Sequence, residues 1–326
     1  MTLRKVQCFF LHSFIFLALL SCTNPVDEEI YMFSYFVGNG EDGLHYAYSM
    51  DGYSWEAIGN NRSFLTPEVG GDKLMRDPCI IRGEDGIFHM VWTVSWTEKG
   101  IGYANSKDLI NWSSQKYLPV MEHEEGTRNT WAPEIYYDKE EDLYIIFWAS
   151  TISGLFPETQ TKEEDGYNHR QYFVTTRDFK EFSDTQLLLD PGFNVIDGSL
   201  IKVGEEYLLF IKDETIDPSQ KNIKITRSNE LTGGYGPPGN PITGDYWAEG
   251  PTVTKVGKQW VVYFDKYIDH QMGAVSSTDL VNWKDISEEV SFPEGTRHGT
   301  VFKVTKQEFS NFRNYLAPPT QNTTIP

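Results

Sequence analysis

Asp77-Pro78-Cys79-Ile80-Ile81-Arg82-Gly83-Glu84-Asp85-Gly86-Ile87-Phe88-His89-Met90-Val91-Trp92 is the stretch whose reading decides the fold. Two β-rich runs, Asp77 to Ile81 and Phe88 to Trp92, flank a Gly/Asp turn that suits a tight reversal, so the stretch reads as a hairpin. The unit returns from Ala132-Pro133-Glu134 to Trp148, from Asp197-Gly198-Ser199 to Phe210 and from Glu249-Gly250-Pro251 to Phe264. A last copy, His298-Gly299-Thr300-Val301, is a single run.

A second unit alternates with the first: a short strand, a Ser or Thr, an Asp, then an aromatic residue. Its copies are Tyr46 to Trp55, Tyr103 to Trp112, Val174 to Phe182, Ile225 to Ser228, the weakest, and Ala274 to Trp283. The first units start at residues 77, 132, 197, 249 and 298, so successive starts lie 55, 65, 52 and 49 residues apart. Each period supplies four strands of one blade, and five periods predict an all-β, five-bladed β-propeller. The chain opens with an outer unit and ends with an inner one, so the N-terminal strands are expected to complete the last blade. No helical periodicity competes with this reading. The 65-residue interval holds a polar insertion, Ser153 to Arg170, that no blade strand requires.

Before the repeats, Arg4 and Lys5 precede an apolar run from Phe9 to Leu20 that ends in Leu19-Leu20-Ser21-Cys22. Residues 1–21 are expected to be a signal peptide, with Cys22 the lipidated first residue of the mature chain, as in bacterial lipoproteins. The expected domains are then an acidic tether over 22–30, the propeller over 31–314 and a disordered tail over 315–326. The expected location is the bacterial cell envelope, with the membrane touched only through the lipid. Cys8 lies in the leader, which leaves Cys79 alone in an apolar run, where it reads as a packed core thiol. With 47 Asp+Glu against 28 Lys+Arg, nucleic acid is excluded as a partner. A monomer is expected.

The repeat aligns the residues that open the inner strands: Asp77, Ala132, Asp197, Glu249 and His298. Three carboxylates and an imidazole at the mouth of one funnel repel and perturb one another, an arrangement that chemistry asks for and packing does not. Glycoside hydrolysis asks for it, with one carboxyl donating to the leaving oxygen and another activating water or attacking carbon. No Gly-x-Ser-x-Gly elbow, His-Glu-x-x-His or phosphate-cradling glycine loop offers another chemistry.

The ordered set Arg76-Asp77-Pro78, Trp131-Ala132-Pro133-Glu134, Val195-Ile196-Asp197-Gly198, Trp247-Ala248-Glu249-Gly250-Pro251 and Arg297-His298-Gly299 resembles the five-bladed family 43 glycoside hydrolases. The resemblance implies inversion, with Asp77 as general base, Asp197 as pKa modulator and Glu249 as general acid. It implies a terminal sugar as substrate within a poly- or oligosaccharide, α-L-arabinofuranose first, then β-xylose or galactose. No cofactor is required, although His298 would organise an axial Ca²⁺ or Na⁺ through water. Arg76, Trp131, His169, Arg170 and Arg297 are expected to bind sugar, with Trp96 a weaker candidate. Lys212-Asp213-Glu214 reads as a salt-bridged turn. Two alternatives stay open: a retaining fructan-type propeller, whose early Asn-Asp-Pro-Asn-Gly pattern is missing here, and a surface propeller that binds glycan without cleaving it.

Overall fold

The structure, a computed structural model, describes residues 29–316. The expected leader, Cys22, most of the tether and the tail from 317 lie outside the described residues. Five antiparallel sheets form the five-bladed propeller, and their inner strands are Arg76–Arg82, Trp131–Asp138, Val195–Val203, Glu249–Val256 and Gly299–Thr305. The last blade closes as expected: Gly299–Thr305 pairs with the N-terminal strand Glu29–Tyr35, which then pairs with His45–Ser49. Four blades have four strands, and the third has three. The three-stranded blade is the one whose outer repeat was weakest in sequence.

Buried side chains gather in five clusters, one at each seam between neighbouring blades, so the core is a ring of interfaces. Large residues dominate them; Trp92 and Trp148 have no exposed surface. The recurring Ser/Thr-x-Asp is a turn device. In the second blade-sized copy Asp108 Oδ1 accepts the backbone N–H groups of Ile110 and Asn111, while the Ser106 hydroxyl accepts those of Asp108 and Leu109. Asp51, Asp178 and Asp279 repeat the arrangement. The repeat therefore marks outer-strand turns and carries no chemistry.

The sequence reading found no helix, yet Lys306–Leu316 is one. Thr305 and Glu308 form a capping box: the Thr305 N–H donates to the Glu308 carboxylate and the Glu308 N–H donates to the Thr305 hydroxyl. Phe309 and Phe312 then bury against Tyr46, Tyr48 and Phe64 at the closing seam. The helix extends the folded body through residues 315 and 316, and Glu29–Tyr35 begins it two residues before the expected boundary.

Four inner strands share a bulge at the end nearest the propeller mouth, between Arg76 and Cys79, Trp131 and Glu134, Ile196 and Gly198, and Glu249 and Thr252. Each bulge carries a left-handed residue: Asp77 at φ 52°, Ala132 at 47°, Asp197 at 48° and Gly250 at 59°. The last is a glycine for a steric reason, since a Cβ there would sit 2.3 Å from Cγ of the His298 ring. Gly257 has a similar φ, 58°, with open space around it. Gly257→Ala should therefore lose about 1 kcal/mol of stability from the left-handed conformation alone, whereas Gly250→Ala should lose about 2–4 kcal/mol. Urea denaturation of the two variants measures the difference; equal losses would contradict the packing of His298 against Gly250.

Candidate active site

The bulges correct one point of the alignment. Asp77 and Asp197 occupy the same left-handed slot in the first and third blades, but Glu249 is one residue out of step, because the left-handed residue of its blade is Gly250. The imidazole of His298 fills the space that a side chain at 250 would take. The preceding residue, which corresponds to Arg76, Trp131 and Ile196, carries the carboxylate instead. The three acids still meet, and together with His298 they line a cavity of about 210 Å³ at the end of the propeller axis.

His298 organises its floor. Nδ1 lies 3.3 Å from Asp77 Oδ1, and the Thr93 hydroxyl donates to Asp77 Oδ2 at 2.8 Å. Burial alone would raise the Asp77 carboxyl, but His298, Arg76 and Thr93 outweigh it and hold it down to about 2. Burial would likewise strip the imidazole of its proton; Asp77 and Asp197 oppose that and raise His298 to about 9. Asp197 goes the other way: burial, reinforced by Glu249 and Asp77, raises it to about 6 against the pull of His298 and Lys212. Its Oδ2 accepts the Gly250 N–H at 2.8 Å, which fixes the peptide that follows Glu249.

Glu249 is held from two sides, by Lys212 at 3.2 Å and by Arg297 at 3.3 Å. Both cations lie closer to other carboxylates: Lys212 is 2.7 Å from Glu214, and Arg297 Nε is 2.6 Å from Asp265. Glu249 is thus the second partner of each, and the more loosely held carboxylate. Lys212 and Glu214, expected to form an ordinary turn pair, line the cavity. The sequence reading also missed Thr93, Asp265, Trp247 and Tyr267. A signal for three of the missed or misread residues lies in the hairpin register, since Thr93, Lys212 and Asp265 pair across the sheet with Arg76, Ile196 and Glu249. Counting back from each turn reaches them.

Arg76 and Trp131 line the cavity as expected. The Arg76 guanidinium stacks between Phe36 and Trp96, and Nη1 donates to Asn39. Trp131 donates its indole N–H to the Trp96 carbonyl, and Trp96 itself is 41% exposed at the rim. Arg297 reaches the site through Glu249 and Asp265. His169 stands one layer behind: its ring is buried, stacks on Tyr167, packs at a tilt against Trp131 and is held by Asn194, with burial lowering it to about 4. It braces Trp131 and does not line the cavity. Arg170 does not reach the cavity at all. Its side chain is wholly buried, paired with Asp190 at 2.5 Å and stacked on Phe156, so it anchors the base of the insertion.

His298, expected to organise an axial cation through water, turns its Nδ1 toward Asp77 at 3.3 Å. Among the described residues no group of three or more His, Cys, Asp or Glu is placed to hold an ion. Cys79 is fully buried, as expected of a core thiol, with its sulfur 3.3 Å from Glu134. No helix among the described residues is long and apolar enough to cross a membrane.

Comparison with known proteins agrees with the fold. An α-L-arabinofuranosidase of Bifidobacterium longum subsp. longum is 25% identical over 210 residues, which is 56% of this chain but only 19% of that protein's length. Among solved structures, the α-L-arabinofuranosidase from Lactobacillus brevis superposes with a TM-score of 0.51 at 18% identity, over 65% of this chain and 72% of that one. The catalytic domain of a Coprinopsis cinerea family 62 α-L-arabinofuranosidase gives 0.51 at 13% identity, over 70% and 76%. These two likenesses show the fold. The profile of the family 43-related group, described as a probable glycosyl hydrolase domain, matches residues 27–310, and the chain belongs to that family.

Proposed function

We propose that the chain is an exo-acting, inverting glycoside hydrolase that removes a terminal sugar, α-L-arabinofuranose first, from an oligo- or polysaccharide. The observation that carries this reading is the meeting of three carboxyls, Asp77, Asp197 and Glu249, in the lining of one cavity, where Asp77 is held down to about 2 and Asp197 is raised to about 6. Acid–base pairs are built by environments that push carboxyl pKa values apart. Asp77, ionised across the ordinary pH range, takes a proton from water as the water oxygen attacks the anomeric carbon. Glu249 gives its proton to the departing oxygen as the glycosidic bond breaks. Asp197 fixes the peptide behind Glu249 by accepting the Gly250 N–H. The cavity is below the roughly 300 Å³ at which drug-sized pockets begin, a scale that suits one terminal ring. The B. longum relative is named an α-L-arabinofuranosidase, which supports that sugar first. In the cell we place the enzyme on the bacterial envelope, anchored through Cys22.

A panel of p-nitrophenyl glycosides tests the activity and the sugar together, with hydrolysis of the α-L-arabinofuranoside expected to be fastest. If no glycoside is cleaved, the glycan-binding alternative replaces this reading. Asp77→Asn should lower kcat on both p-nitrophenyl and oligosaccharide substrates by about 10²–10⁴-fold. Glu249→Gln should do so on oligosaccharides while sparing the p-nitrophenyl substrate by at least about tenfold, because that leaving group needs little protonation. Equal losses for Glu249→Gln on the two substrates would remove it as the acid.

The Asp77–His298 pair also sets a pH dependence of stability. His298, raised from 6.5 to about 9, contributes fully below pH 6.5 and loses its contribution as pH rises through 9. Asp77, lowered from 3.8 to about 2, contributes above pH 3.8 and fades as pH falls through 2. Glu134, which burial raises to about 8, loses most of its contribution between 4.5 and 8, so from pH 8 to 9 His298 is the main group losing its contribution, joined by the buried Cys79 thiol, which burial pushes up. Unfolding free energy should fall there by about 1 kcal/mol per pH unit, and His298→Gln should flatten that fall. A slope that persists in the variant would assign it to another group.

A further inference from the structure

Beside the catalytic cavity lies a second groove of about 270 Å³. The insertion forms one wall, from Glu158 to Tyr167, and the loops around Phe193 and Thr215–Asp217 form the other. Two features join the groove to the cavity. The Tyr167 ring, which lines the groove, packs 4.7 Å from Trp131, which lines the cavity. Glu214 lines the cavity, and the next three residues line the groove.

The insertion is built to hold this shape. Arg128 stacks over Tyr167 at 4.2 Å and donates to the carbonyls of Asp165 and Gly166. Asn168 donates to the Phe156 carbonyl and accepts from Thr159, and the buried Arg170 donates to the Thr159 hydroxyl. Side chains rooted in the propeller thus close the 153–170 loop against itself and hold Tyr167 beside Trp131. Aromatic faces with carboxylate and hydroxyl acceptors suit sugar rings, whose hydroxyls donate. Among the described residues, the groove's lining holds Glu158, Glu163 and Asp217 and no Lys, Arg or His.

We infer that this groove holds the sugars on the leaving side of the scissile bond and that it selects neutral chains over uronate-bearing ones. This rests on the glycosidase reading and extends it. A terminal ring in the cavity leaves its aglycone at the shared wall of Trp131 and Tyr167, from which the groove leads away. A uronate there would face three carboxylates without a cation.

The test compares two substrates with the same terminal sugar, the p-nitrophenyl glycoside that the wild type cleaves best and the matching neutral trisaccharide. Thr215→Trp fills the groove from one side and Thr161→Trp from the other. Each should lower kcat/KM for the trisaccharide by about tenfold or more while leaving the p-nitrophenyl substrate within about twofold, because only the trisaccharide draws on remote binding. The p-nitrophenyl activity also reports that each variant is folded. Parallel losses on both substrates in both variants, or no loss on the trisaccharide, would overturn the groove assignment. The double substitution Glu158→Lys with Glu163→Lys should raise kcat/KM for a trisaccharide carrying a leaving-side uronic acid by about fivefold over the neutral one; an unchanged ratio would overturn the selectivity. Wild type inert toward every glycoside would instead overturn the parent reading.

Discussion

The left-handed bulge near the mouth of the inner strands is the constraint on which the site depends. A non-glycine residue in that conformation costs about 1–2 kcal/mol, and three blades accept one, at Asp77, Ala132 and Asp197. Bonds between blades hold these residues in place. The Thr93 hydroxyl donates to Asp77 and accepts the Ala132 N–H, which ties the first blade to the second. Asp197 accepts the Gly250 N–H, which ties the third to the fourth. Deeper on the axis the Thr300 hydroxyl donates to Glu134, and the Val301 N–H donates to the Thr252 hydroxyl, which brings in the last blade. The same contacts close the ring and aim the acids, so stability and placement of the site are one problem with one solution.

Charge is distributed in that ring by competition. One imidazolium serves Asp77 directly at 3.3 Å and acts on Asp197 and Glu134 through space. Lys212 and Arg297 are each engaged more closely with Glu214 and Asp265 than with Glu249. Glu249, to which the proposed function assigns the proton transfer, is accordingly the least firmly held carboxylate of those around the two cations. Asp265 and Glu214 contribute to the chemistry by occupying the cations, a role that no inspection of the three acids alone reveals.

The repeat spacing made the fold legible, because hairpins with Gly/Asp turns at blade-sized intervals have few other solutions, and the lone final run demanded closure by the N-terminal strands. The cavity was legible too, since Asp77, Asp197 and Glu249 sit beside the breaker residues that mark the bulges and His298 precedes the glycine that opens the last inner strand. The one-residue offset of Glu249 was not, because Glu-Gly-Pro and Asp-Pro align equally well until φ at Gly250 and the His298 ring are seen. Thr93 and Asp265 were overlooked, and Lys212 was read only as a turn residue, because they lie at the ends of second strands, where no breaker marks them; only cross-strand register brings them in. Arg170 was misread because proximity in sequence to the insertion says nothing about burial. The C-terminal helix hid behind a short apolar pattern, although its Thr-x-x-Glu cap was in plain view.

The central claim is that Asp77 and Glu249 act from opposite sides of a bound sugar, with water between the base and the ring. Proton NMR of the first-formed product, recorded before mutarotation, tests it most directly. The account predicts that the released sugar appears first as the anomer opposite to that of the substrate, as displacement by a base-activated water requires. Release of the same anomer would contradict it, because retention needs one carboxylate to bond to carbon, and the division of labour among Asp77, Asp197 and Glu249 would have to be redrawn.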